Sequence, residues 1–121
     1  MKKSLIFFIV SLFSVTLFAF EEIGEKDFMA KIQSPGNKIV VFYVPKDPNS
    51  KDLNETIQKL HPKNLKIYFV HAGKNKNLSI GMGIAYVPTI LYFKGNQVKG
   101  REVGAKNLKE MEESIKKYFK E

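Results

Sequence analysis

The chain has 121 residues, 20 lysines and arginines against 12 aspartates and glutamates, a formal charge of +8, and no cysteine. That length accommodates one small domain, and the lack of any thiol excludes disulfides and thiolate chemistry. The basic excess points to acidic partners or anionic surfaces and carries no information about fold.

The chain opens with Met1-Lys2-Lys3, a short basic start, and residues 4–18 are almost wholly apolar. Ala19 ends that run, and Phe20 with the acidic Glu21-Glu22 follows. The pattern predicts a secretory signal peptide over 1–19, cleaved after Ala19, and a domain over 20–121 in a periplasmic or secreted setting. An uncleaved membrane anchor is the rival reading, although the run is shorter than the ~20 residues a spanning helix needs. Export would place the domain where disulfides form. With no cysteine to form them, its stability must come from packing.

Glu22-Ile23-Gly24 is read as a short first strand. From Glu25 to Gln33, Phe28, Met29 and Ile32 stand at helical spacing. Ser34-Pro35-Gly36-Asn37 is a loop signal. After Lys38, the run Ile39 to Val44 is continuously β-branched and aromatic, which predicts a strand buried on both faces. Asp47-Pro48 is a helix start, an acidic N-cap with proline at the first helical position. The helix continues over Lys51 to Leu60 with Leu53, Ile57 and Leu60 on one face, and His61-Pro62 closes it. Leu65 to Val70 is the next strand. Ala72 to Asn77 is polar and basic, read as a loop or the start of a short helix. Asn107 to Phe119 is the last helix, with Leu108, Met111, Ile115 and Phe119 at three-to-four spacing.

The stretch Gly83 to Phe93 organises the rest. Pro88 has no N–H to give a ladder, so a proline directly before an apolar strand marks a fixed turn. Gly95-Asn96 between two strand-like runs is a two-residue hairpin signal, because both residues tolerate positive φ. Met82-Gly83-Ile84-Ala85-Tyr86-Val87-Pro88-Thr89, then Leu91-Tyr92-Phe93-Lys94-Gly95-Asn96 and Val103-Gly104-Ala105, resembles the C-terminal half of a thioredoxin. The resemblance covers nearly all of the chain after residue 19 and is weakest at its start. It implies an α/β thioredoxin fold, a central mixed sheet of four to five strands flanked by helices. It also implies a cis Val87-Pro88 bond beside the active-site loop; composition alone does not favour cis.

The family carries Trp-Cys-Gly-Pro-Cys-Lys after its second strand, where the helix N-terminus stabilises one thiolate and the second cysteine resolves the mixed disulfide. Aligned on Val40-Val41-Phe42-Tyr43, those places hold Lys46-Asp47-Pro48-Asn49-Ser50-Lys51. Asp47 replaces the first cysteine and Ser50 the second, so thiol–disulfide exchange by this chain is excluded on chemical grounds and no enzyme activity is expected. The family's buried aspartate, one residue before the strand's Phe, is Val41 here. A buried carboxylate is costly, so valine suits a chain without the chemistry. Asp47 is read as an N-cap; as a nucleophile or base it lacks partners, and so does Ser50 as an activator of a thiol ligand.

By resemblance, the family's peptide groove would survive without cysteines. Its walls would be Lys46-Asp47-Pro48, Val87-Pro88-Thr89 and Gly104-Ala105, with Tyr86 reaching its edge. Binding there is strand addition, in which backbone hydrogen bonds give affinity and small pockets give selectivity. The expected function is therefore an exported, redox-inactive, thioredoxin-like protein that binds a protein or peptide partner, in an assembly or chaperone-like role. The alternative is a structural subunit or module that binds through its basic helix face, Lys116, Lys117 and Lys120. A third reading is a chain that carries the thiol–disulfide oxidoreductase label by family alone. The run Lys74-Asn75-Lys76-Asn77 adds to the basic surface and is read as solvated. His61 and His71, at a helix end and a strand end, match no ligand spacing, so no metal and no cofactor is expected. No nucleic-acid motif is present, and membrane contact is expected only if the leader is kept.

Overall fold

A computed structural model describes residues 20–120. The expected signal peptide over 1–19 lies outside the described residues. The elements follow in the order β1 (Phe20–Glu22), α1 (Glu25–Gln33), β2 (Asn37–Tyr43), α2 (Pro48–Gln58), β3 (Leu65–His71), α3 (Lys76–Gly81), β4 (Thr89–Lys94), β5 (Gln97–Val103) and α4 (Leu108–Phe119). The strands form one mixed sheet in the order β1-β3-β2-β4-β5. β1, β3 and β2 are parallel, β4 runs antiparallel to β2, and β5 antiparallel to β4.

β2 sits at the centre because its sequence can be buried on both faces. Ile39, Val40, Val41 and Phe42 have no exposed surface, and Tyr43 keeps 9%. Alternation sends these side chains to two cores. Ile39, Val41 and Tyr43 pack with Leu53 and Ile57 of α2 and Met111 and Phe119 of α4. Val40 and Phe42 pack with Phe28 and Ile32 of α1, with Leu78 of α3 against the same cluster. The result is three layers: α2 and α4 on one face, α1 and α3 on the other.

Three boundaries differ from the sequence reading. The first strand is Phe20–Glu22, not Glu22–Gly24. Ladder bonds use the backbone alone, so Glu21 and Glu22 pair with Tyr68 and Phe69 despite their charge, while Ile23 drops into the core. α2 ends at Gln58, and Leu60 is buried just beyond it. The polar run after β3 becomes a helix over Lys76–Gly81. This helix is pinned from outside: Glu25 Oε1 accepts from Leu78 N–H at 3.2 Å, and Asn75 Oδ1 accepts from Glu25 N–H at 3.1 Å. Each of the two helix starts thus meets a side chain from the other, satisfying donors that have no partner within their own helix.

Lys38, read only as the lead into β2, is fully buried. Its ammonium donates to Gly36 O at 2.9 Å and Gly95 O at 3.0 Å, tying the α1–β2 loop to the β4–β5 hairpin. Burial, helped by the nearby Lys66 charge, pulls its pKa below the usual lysine value. The hairpin itself is the expected two-residue turn, with Lys94 opposite Gln97 and Gly95 at φ +60°.

The packing of α4 on the sheet depends on a missing side chain. Gly100 pairs with Tyr92 next to a register shift between Tyr92 and Phe93. The Tyr118 ring lies over Gly100 and stacks on Tyr92 with centroids 4.5 Å apart. A Cβ at position 100 would fall inside that ring. We expect Gly100→Ala to cost about 1–3 kcal/mol in urea unfolding, the usual range for overpacking. Tyr118→Leu in the same background should recover part of the loss; an undiminished loss would mean that the ring is not the obstacle.

Candidate functional site

The parallel strands bring the ends of β2 and β3 to one pole, and the antiparallel β4 begins there. The segments expected to form a site meet at this pole. After β2 the chain turns, with Asp47 N–H donating to Val44 O at 3.0 Å. Asp47 is the N-cap of α2, its Oδ2 accepting from Ser50 N–H at 2.7 Å, with Pro48 in the first turn. Ser50 is fully buried, and its Oγ accepts from Val44 N–H at 3.2 Å. Asp47 and Ser50 are therefore both occupied with closing the helix start. Lys46 and Pro48 are exposed beside them.

The facing segment is Tyr86-Val87-Pro88-Thr89. The Val87-Pro88 bond is cis. Thr89 Oγ1 donates to Tyr86 O at 2.6 Å, and Gly104 N–H donates to Pro88 O at 2.9 Å. Gly104 has φ +103°, a conformation in which a side chain would be strained. Ala105 follows, half-buried. Pro88 and Thr89 are buried, whereas Tyr86 is 70% exposed. Among the described residues, no hydrogen bond reaches the Val87 backbone.

A cleft of about 330 Å³ opens beside this segment, lined by Val44, Ile80, Ile84, Tyr86 and Val87 with Lys76 among the polar residues. Of the nine expected groove residues, Tyr86 and Val87 line it directly. Pro88, Thr89 and Gly104 fix the segment from behind, and Lys46, Asp47 and Pro48 stand on the α2 side. Ile80, Ile84 and Val44 were missed. For Ile80 and Ile84 a signal was present: with Leu78 and Met82 they make an apolar run directly after the polar Lys74-Asn75-Lys76-Asn77. Ile80 is 76% exposed, so its apolar side chain serves no core. Ser79 anchors this wall, its Oγ donating to Ala72 O at 3.2 Å and Asn75 O at 2.9 Å.

His61 lies at the opposite pole and His71 at the end of β3. Among the described residues no three His, Cys, Asp or Glu side chains come together as a metal site. Tyr43, the last residue of β2, donates its hydroxyl to Glu22 Oε1 at 2.7 Å. Burial, reinforced by that carboxylate, pushes its pKa up to about 12. Below pH 10 the phenol is protonated whether folded or not. As pH rises from the unfolded value of 10 toward about 12, the unfolded chain releases the proton first and the stabilisation is lost. Tyr68 and Tyr92 are raised as well, both mainly by burial, and share this loss. We expect Tyr43→Phe to make the fall in urea midpoint between pH 10 and about 12 shallower than in wild type; an unchanged slope would show that Tyr43 ionises normally.

Comparison with known proteins agrees with this architecture. A search of curated proteins finds no match. Among solved structures, the thioredoxin Mala s 13 of Malassezia sympodialis superposes with a TM-score of 0.73, covering 82% of this chain and 92% of that one at 17% identity. At that identity the likeness is one of fold. The thioredoxin family model matches residues 19–117. The chain belongs to the thioredoxin family and contains no cysteine.

Proposed function

We propose that this is an exported, redox-inactive member of the family that binds an extended peptide or protein segment beside Pro88, in an assembly or chaperone-like role. One observation carries the reading: Ile80 and Tyr86, two large apolar side chains 76% and 70% exposed, flank a single apolar cleft at the end of the sheet. Large exposed apolar residues gathered in one place mark interaction sites more often than scattered ones do. The unbonded Val87 backbone on the same rim offers a donor and an acceptor to an added strand. Without sulfur, the bound segment would be held and not exchanged. The lysines at this pole, Lys46 and Lys76, favour a segment that also carries acidic residues.

The compartment follows from the leader. A periplasmic or secreted location requires a mature N-terminus at Phe20, which N-terminal sequencing of the exported protein would read; an intact Met1 in the membrane fraction would replace cleavage with anchoring. For the groove, Ile80→Ser and Tyr86→Ser alter exposed residues and should leave folding intact. Against an arrayed peptide library, each should weaken the best binders by about tenfold, the scale of one well-packed apolar anchor. Val98→Ser, equally conservative and distant on β5, should leave them unchanged. If all three variants bind like wild type, the groove is not the site. Insulin reduction by the full chain should not exceed a protein-free control.

A further inference from the structure

We propose that the pole opposite Pro88 is a docking surface for the anionic headgroups of a phospholipid bilayer. The parallel strands that send their C-termini to the groove send their N-termini here. Between the C-terminal half of α4 and the α2–β3 connection lies a cleft of about 940 Å³. Its floor is apolar, formed by Leu60, Leu65, Ile115 and Phe119. Its rim carries Lys63, Lys116 and Lys120, all exposed, against the single carboxylate of Glu112. Among the described residues none of these three ammonium groups is held in an ion pair or hydrogen bond.

An apolar floor inside a cationic rim suits a surface that is anionic outside and apolar just beneath, which is the order of charge and hydrocarbon in a bilayer containing acidic lipids. The long lysine stems can lie along the apolar floor while their ammonium groups meet phosphate. A free acidic peptide would satisfy the rim but has less reason to meet the floor.

The path of the chain supplies an independent argument. β1 runs parallel to β3, and Phe20 lies opposite Ile67, only two residues past Leu65 of the cleft. Phe20, the first described residue, therefore lies at this same pole. In sequence it follows the apolar run 4–18, which Lys2 and Lys3 precede. Kept as an anchor, that run would tether the domain to the membrane by this end. Docked so, it would hold the Pro88 cleft away from the bilayer and open to a partner.

The test is co-sedimentation of the full chain with vesicles of phosphatidylcholine alone and of phosphatidylcholine with phosphatidylglycerol. The apolar N-terminal run contributes to both and is common to every variant. The wild type should prefer the acidic vesicles, and added salt should weaken that preference. The triple variant Lys63→Glu, Lys116→Glu, Lys120→Glu should lose on the order of tenfold or more of it, given three lysines at an anionic surface. The neutral variant Lys63→Gln, Lys116→Gln, Lys120→Gln should lose most of it, and circular dichroism checks the folding of both. A control with the same charge change at the other pole, Lys46→Glu, Lys51→Glu, Lys74→Glu, should lose far less. Equal loss in cleft and control variants would reduce the effect to net charge and overturn the proposal. So would a wild type that binds both vesicles alike.

Discussion

Burying β2 on both faces while it is hydrogen-bonded on both edges is the constraint on which the rest depends. Every odd residue from Ile39 to Tyr43 must be apolar for one core, and every even one for the other. Register then follows, because shifting a strand by one residue would exchange the two faces. Val41 sits in the middle of this arrangement and packs in a cluster of Leu53, Ile57, Ile90 and Met111. This packing matters in a chain with no disulfide to stabilise it.

The parallel arrangement of β1, β3 and β2 also divides the molecule into two chemically different poles. All the loops that follow parallel strands gather at one end, and all the loops that precede them at the other. The groove end combines exposed apolar side chains with a rigidly held turn. The other end combines lysines with an apolar floor. The helices on the two faces are fastened by different means. α4 has a full capping box, with Asn107 and Glu110 exchanging backbone and side-chain bonds. α3 is only six residues long and relies on Glu25 and Asn75 from outside its own length.

What could be read from the sequence was whatever depends on neighbours in the chain. The central strand, the Asp47-Pro48 helix start and the Gly95-Asn96 hairpin all declare themselves within a few residues, and the structure places them there. What could not be read depends on residues far apart. Lys38 looks like a surface charge, yet it is buried with carbonyl partners in two loops, one of them 57 residues away in the chain. Glu102, on a strand that is otherwise mostly exposed, accepts from Tyr92 at 2.8 Å and Ser114 at 2.9 Å, joining β4, β5 and α4 in one polar contact. Ile80 is apolar yet faces outward, while its neighbour Ser79 takes the buried side of α3. The Lys63–Lys116 cleft joins two segments that no local pattern connects.

The start of α2 shows how a helix N-terminus in this family can be satisfied without a thiol. A helix start presents backbone donors and a partial positive charge that must be met by something. In a redox member a thiolate meets them, and its reactivity follows from that stabilisation. Asp47 meets them here with a carboxylate that caps the helix through Ser50 N–H, and Ser50 Oγ takes up Val44 N–H in turn. A negatively charged group still stands at the start of α2, but it is a poor nucleophile and has no partner with which to exchange. The donors at the start of α2 and at the end of β2 are thus met from within the loop, by one carboxylate and one hydroxyl.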